Sequence, residues 1–279
     1  MSLEPAGRII EGDNLPVLRA LPSESAQLVY SDPPFNTGNV RAYQRIHTTQ
    51  DKDGDRVGFG GRRYRSAPGE SLSYADAFEE YIDFLTPRLA EIWRVLRSDG
   101  SLYLHLDARE VHYVKVLLDS IFGRDCFLNE IIWAYDYGGR PRRRWPAKHD
   151  NILVYVKDRE RYIFNRDAID RIPYLAPGLV GKEKAERGKL PTDVWWHTIV
   201  GTNARERTGY PTQKPVALAE RIIRASSDPG ELVLDPFAGS GTVGAAAAGL
   251  GRGYLLIDEN PEAVEVMRQR LPEAEVVRP

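Results

Sequence analysis

A chain of 279 residues that is 42% hydrophobic and 28% charged can bury one sizeable core with room for a small lobe, and this balance excludes a disordered protein. No apolar run approaches the ~20 residues that span a bilayer, and the opening Met-Ser-Leu-Glu-Pro-Ala has neither a basic nor an apolar leader, so a cytoplasmic protein without a membrane partner is expected. The lone Cys126 excludes an internal disulfide and a thiolate cluster, and the net charge of −2 argues weakly against a nucleic-acid partner until its distribution is read.

In chain order, Arg8–Ile10 is a short apolar entry followed by Gly12-Asp13-Asn14. Gln27–Tyr30 has the character of a buried strand, stopped by Ser31-Asp32-Pro33-Pro34 because two prolines cannot continue a central ladder. Residues 39–73 are polar, rich in Gly and Arg and without sustained periodicity, which predicts a long binding loop or lid. From Tyr74 to Leu96 apolar residues recur at helical spacing, predicting one amphipathic helix bent near Pro87 and ended by Asp99-Gly100. A strand Ser101–Leu106, a helix Arg109–Phe122 and strands Phe127–Ala134 and Ile152–Val156 follow. Residues 158–209 read as irregular, the core of an appended lobe. Regularity returns with a helix after Pro215, a strand Glu231–Leu234, a helix from Thr242, a strand Gly253–Ile257 and a helix Pro261–Leu271. Alternation of this kind implies a mostly parallel α/β sheet covered on both faces.

Charge is unevenly spread. Between Gly138 and Lys214 there are 17 Lys and Arg against 9 Asp and Glu, leaving the rest of the chain acidic. An acidic body with a basic attachment suits DNA. Arg140, Arg142, Arg143, Arg144 and Lys148, interleaved with Trp145, suit phosphate contacts, and Arg62, Arg63 and Arg65 in the early loop suit a clamp. Trp195 and Trp196 are expected to pack the lobe rather than to wedge between bases. His47, His105, His112, His149 and His197 do not fall at metal-ligand spacings, so no metal is expected.

Two motifs carry chemistry. Asp235-Pro236-Phe237-Ala238-Gly239-Ser240-Gly241-Thr242 joins a strand to a helix, where glycines let the backbone turn and approach a ligand. It lacks the Gly-Lys-Ser/Thr of a phosphate loop. About 20 residues on, Asp258-Glu259 ends the next strand, where an acid can accept hydrogen bonds from ribose hydroxyls. The other motif is Asp32-Pro33-Pro34-Phe35-Asn36. The amine of a nucleobase is a poor nucleophile because its lone pair is delocalised, so it needs acceptors aimed at its N–H bonds. Asp32 and the Pro33 carbonyl can be those acceptors, and Phe35 offers a stacking face for a flipped base.

Asp-Pro-Pro-Phe-Asn, then Tyr210-Pro211-Thr212-Gln213-Lys214-Pro215, then Asp235-Pro-Phe-Ala-Gly-Ser-Gly-Thr resembles the amino-group DNA methyltransferases of the beta arrangement, over nearly the whole chain and in the right order. The resemblance implies a Rossmann-like methyltransferase sheet with one antiparallel hairpin. It also implies S-adenosylmethionine as methyl donor and double-stranded DNA as partner, and it allows a homodimer and a cognate restriction enzyme. It assigns catalysis to Asp32, Pro33, Pro34 and Phe35. Cofactor contacts fall to Asp13, Asn14, Thr212, Lys214, Pro215, Asp235, Phe237, Ala238, Gly239, Ser240, Gly241, Thr242, Asp258 and Glu259. Residues 1–135 would form the catalytic half, 136–209 the hairpin strand and target-recognition region, and 210–279 the cofactor half. An aspartate heading the Pro-Pro motif leans to adenine N6 over cytosine N4. Cys126 is expected to be a buried inert thiol, and with no Pro-Cys nucleophile the chain is not expected to methylate cytosine carbon. Two other functions compete: an RNA or protein-amide methyltransferase, whose relatives place the cofactor glycines first, and a non-catalytic module that keeps only the fold.

Overall fold

The computed structural model describes residues 7–35, 39–51, 53, 56–57, 63–76 and 81–278. Its strands are β1 (Gly7–Glu11), β2 (Ala26–Ser31), β3 (Asn39–Gln50), β4 (Arg56–Val57), β5 (Arg63–Asp76), β6 (Leu96–Leu106), β7 (Phe127–Ala134), β8 (His149–Val156), β9 (Val194–Trp196), β10 (Leu232–Asp235), β11 (Gly253–Asp258) and β12 (Glu275–Val277). Its helices are α1 (Asn14–Ala20), α2 (Tyr81–Val95), α3 (Val111–Phe122), α4 (Lys182–Arg187), α5 (Val216–Ser226), α6 (Thr242–Gly249) and α7 (Pro261–Arg270). No helix among the described residues is long and apolar enough to cross a membrane.

Nine strands form one sheet in the order β12-β1-β11-β10-β2-β6-β8-β7-β9. Only β8 runs against the others, pairing antiparallel with both β6 and β7. Side chains alternate between two apolar layers, as the period of two demands. Leu28 and Tyr30 of β2 join Ile222 of α5 and Val243 of α6 on one face. Val29 turns to the other, with Leu85 and Leu89 of α2 and Leu118 of α3. The apolar runs are thus two-sided because helices cover both faces.

The loop expected over 39–73 is corrected. Strands β3 and β5 pair antiparallel, Asn39 opposite Asp76, with β4 on the outer side of β5. Their polar, Gly- and Arg-rich sequence hid them, because it carries no sustained alternation of apolar residues. Of the helix expected from Tyr74 to Leu96, Tyr81–Val95 is helical, residues 74–76 belong to β5 and Leu96 already belongs to β6, while residues 77–80 lie outside the described residues. Pro87 sits inside α2. The stretch 158–209, expected to be irregular, contains α4 and β9, and β9 extends the main sheet beside β7.

Candidate functional site

Strands β2 and β10 are neighbours and parallel, with Leu28 opposite Val233. Ser31 and Asp235 therefore end at one edge of the sheet, and the two motifs leave adjacent strands in the same direction. β11 and β1 end at that edge too, in Asp258 and Glu11. The crevice beyond these strand ends is where an open α/β sheet holds its ligand. One cleft is lined there by Asp13 and Asn14, Asp32 to Phe35, Thr212 and Lys214, Asp235 to Ser240, Thr242, Asp258 and Glu259.

The glycine loop is built from backbone. Gly239 and Gly241 have φ of +51° and +69°, the left-handed region. A Cβ on Gly241 would lie 2.8 Å from Cγ of Met267, so the turn and the packing of α7 both require glycine. The Gly239 N–H donates to Asp258 Oδ2 at 2.8 Å, and Asn260 N–H donates to Oδ1 at 2.9 Å. Burial pushes the Asp258 carboxyl up to about 6 despite these two bonds. Asp235 is buried at the strand end and is raised well above the carboxylate range, first by burial and further by Asp32 and Asp258.

On the β1 side, Asn14 Nδ2 donates to the Pro236 carbonyl at 2.7 Å, joining the first loop to the glycine loop. Arg88 of α2 donates to Asn14 Oδ1 at 2.7 Å and to Asp13 at 2.8 Å, and lies 3.8 Å over the Phe84 ring. Phe84 in turn meets Phe237, with centroids 6.1 Å apart. These groups make an aromatic, polar-rimmed slot at one end of the cleft.

At the other end Lys214 forms a short ion pair with Asp32 and stands 5.2 Å over the Phe35 ring. The Lys214 carbonyl accepts from Thr242 Oγ1 at 3.0 Å. Residues 206–216 are stiffened by Gln213, which accepts from Thr208 N–H at 2.8 Å and donates to the Glu206 carbonyl at 2.6 Å. The Tyr-Pro-Thr-Gln-Lys-Pro segment thus links the acceptor motif to the glycine helix.

Of the expected cofactor residues, Pro215 caps α5 and Gly241 caps α6 without lining the cleft. Tyr30, Phe84, Arg88 and Asn260 do line it and were not singled out from the sequence, and Tyr210, which opens the Tyr-Pro-Thr-Gln-Lys-Pro motif, lines it as well. Arg88 had no signal of its own, being one of several charged residues on an amphipathic helix. Tyr30 had none, being one apolar residue in a strand.

The tip of the β7–β8 hairpin lies at the same sheet edge, because β7 runs parallel to β6 and hence to β2. It stands three strand spacings from β2, about 14 Å. Arg140, Arg142, Arg143 and Arg144 are all exposed on it, and Trp145 is 93% exposed. Lys148 is engaged instead in closing the tip, donating to the carbonyls of Tyr137 and Gly138 at 2.7 and 2.9 Å. Arg63 and Arg65 are exposed on β5, and Arg65 pairs with Asp51 at 2.9 Å; Arg62 lies outside the described residues. Trp195 is buried under the Arg221 guanidinium at 4.9 Å, whereas Trp196 is exposed. Cys126 is half-buried, and burial raises its thiol.

Comparison with known proteins agrees with this geometry. The chain is 32% identical over 281 residues to the DNA adenine methyltransferase YhdJ of Escherichia coli K12, an alignment covering 95% of this chain and 83% of the relative. It is also 32% identical to the type II methyltransferase M.HpaI of Haemophilus parainfluenzae, over 95% of this chain and 74% of the relative. Its fold matches the solved M1.HpyAVI–SAM complex with a TM-score of 0.56 at 20% identity, over 95% of this chain and 98% of that one. The model of the DNA methylase family whose members act on adenine N6 or cytosine N4 matches residues 26–269, and the chain belongs to that family.

Proposed function

We propose that this chain moves a methyl group from S-adenosylmethionine to the N6 amine of an adenine flipped out of double-stranded DNA. The observation that carries the reading is the shared cleft, in which the acceptor motif and the glycine loop face one space across adjacent strands. Its charge fits the cofactor. Asp13, Asp32, Asp258 and Glu259 line it against Arg88 and Lys214, an acidic lining that suits a cationic ligand and disfavours a polyphosphate. The solved M1.HpyAVI–SAM complex, which has the same fold, supports the same cofactor.

S-adenosylmethionine supplies an electrophilic methyl on a sulfonium. Asp258 has lone pairs left after its two backbone bonds and would accept from the ribose hydroxyls. Asp13, Asn14 and the Phe84–Phe237 slot would hold the adenine end, with Glu259 beside it. Thr212, Lys214, Ser240 and Thr242 would hold the methionine end, Pro215 and Gly241 fixing the backbone there. Asp32 and the Pro33 carbonyl accept the N–H bonds of the target amine, which returns its lone pair to nitrogen and aims it. Lys214 holds the Asp32 carboxylate in place, Pro34 stiffens the turn, and Phe35 stacks on the base, an interaction worth about 1–3 kcal/mol.

The exposed arginines at the β7–β8 tip, with Trp145 among them, take the DNA backbone at the edge where the cleft opens, and Arg63 and Arg65 extend that contact from β5. Adenine is favoured by the aspartate at the head of the motif and by the 32% identity to a DNA adenine methyltransferase. The similarity to a type II methyltransferase supports work beside a cognate restriction enzyme, and a homodimer in the cytoplasm is the proposed form, which sedimentation checks. The test of the whole is transfer of labelled methyl to unmodified DNA followed by nucleoside analysis. Label is expected in N6-methyladenine; N4-methylcytosine would move the base assignment, and label only in RNA would overturn the substrate.

A further inference from the structure

Behind Phe35 lies a chain of buried polar groups that neither the acceptor motif nor the cofactor slot uses. Tyr30 Oη is 2.7 Å from His105 Nδ1, and His105 Nε2 is 3.2 Å from Asp150 Oδ2. Tyr135 Oη donates to the other Asp150 oxygen at 3.0 Å. The period of two puts these groups on one face of β2, β6, β8 and the end of β7, all at the cleft edge. His105 is fully buried, with Phe35 at 5.8 Å and Trp133 at 5.5 Å between ring centroids. Tyr30 itself lines the cleft.

Protonation along the chain follows from the bonds. Burial pushes Asp150 up, but its hydrogen bonds to His105 and Tyr135 and the nearby Lys214 charge hold it below the usual carboxylate range, so it accepts only. His105 Nε2 therefore carries hydrogen, and in the neutral ring Nδ1 is an acceptor that takes the Tyr30 O–H. The Tyr30 oxygen is left with lone pairs and no free hydrogen. It is an acceptor at the wall of the cleft.

Methylation of an exocyclic amine releases one proton, and one Asp32 oxygen is already bonded to the Lys214 ammonium. Resting on the methyltransferase reading above, we propose that Tyr30 receives this proton while passing its own to His105, which Asp150 stabilises as the imidazolium. As the N–C bond forms and the C–S bond breaks, the N–H held by Asp32 stays in place while the other turns from the Pro33 carbonyl to Tyr30 Oη, where its proton leaves and its electron pair stays on nitrogen. The Tyr30 O–H proton moves to His105 Nδ1, so no phenolate forms. That suits a phenol whose surroundings, burial first and then Asp32, Asp235 and Asp150, disfavour the anion. After product leaves, the proton returns through Tyr30 to water entering the cleft.

Tyr30→Phe removes only the hydroxyl from a buried ring, and wild type is assayed first so that a chain unable to methylate DNA is recognised as a failure of the parent reading. Single-turnover methyl transfer in Tyr30→Phe is expected to fall about 100-fold, with S-adenosylhomocysteine and DNA affinities within about threefold and the solvent deuterium isotope effect on transfer lost. In wild type, ¹⁵N spectra should show His105 as the Nε2–H tautomer, with Nδ1 losing its hydrogen-bond shift in Tyr30→Phe. Asp150→Asn is the second variant, expected to slow transfer and to change the His105 tautomer. Transfer within about twofold of wild type in Tyr30→Phe, or an unchanged isotope effect, overturns the relay while leaving the methyltransferase assignment standing.

Discussion

The cleft and the β7–β8 tip share one sheet edge and are built in opposite ways. In the cleft, Asp32, Asp235 and Asp258 are half-buried or buried while Asp13 and Glu259 are exposed, and most of these carboxylates are already bonded: Asp258 to two backbone N–H groups, Asp32 to Lys214, Asp13 to Arg88. At the tip, four arginines and Trp145 stand in solvent, and the two hydrogen bonds of Lys148 close the loop. A small polar ligand is recognised by groups fixed in advance, which limits the entropy lost on binding. A polyanion is held by many charges that keep their hydration until contact, so its binding is dominated by salt-dependent counterion release. The difference teaches that cofactor affinity and DNA affinity should be separable by mutation.

The largest expected effect comes from Asp32→Ala, which should lower methyl transfer by about 10³-fold while leaving S-adenosylhomocysteine affinity within a few-fold, by calorimetry. Equal loss of both would break the division between acceptor motif and cofactor slot. Gly241→Val should then disturb the cofactor half alone. Its φ of +69° and the 2.8 Å approach of Met267 predict a loss of several kcal/mol in urea melts, with cofactor binding abolished. The triple change Arg142→Ala, Arg143→Ala, Arg144→Ala should lower the slope of log K against log salt for DNA by about 3 and weaken DNA binding, with cofactor affinity unchanged. A cofactor effect there would erase the contrast.

The smallest expected effect is one of pH. Asp258 titrates near 6, and only its ionised form can accept both ribose hydroxyls. Cofactor affinity should therefore be full above that value and fall about tenfold per unit as pH drops below it. Asp258→Asn should flatten the profile.

The regular elements were legible wherever a layer of core imposed its period. β7 was placed to the residue, and the strands before both motifs to within a residue or two, because apolar runs ended by Asp-Pro have few alternatives. The hairpin of β3 and β5 was missed because its polar sequence shows no sustained period of two. The seven-residue α1 was missed too, being too short to show a period. Sequence also listed the acceptor and glycine motifs without their adjacency, which depends on β10 inserting between β2 and β11 some 200 residues away in the chain. The Arg88 clamp and the Tyr30–His105–Asp150 chain were unreadable for the same reason. Each is made by strands or helices that meet only in the sheet order.

Hydrogen–deuterium exchange with and without S-adenosylhomocysteine tests the shared cleft most directly. Peptides spanning 12–15, 29–35, 210–218, 235–243 and 256–262 should all slow on binding, while those spanning 138–147 stay unchanged. Slowing at the glycine loop with no change at 29–35 would contradict the account, because the acceptor motif would then lie away from the ligand it is said to face.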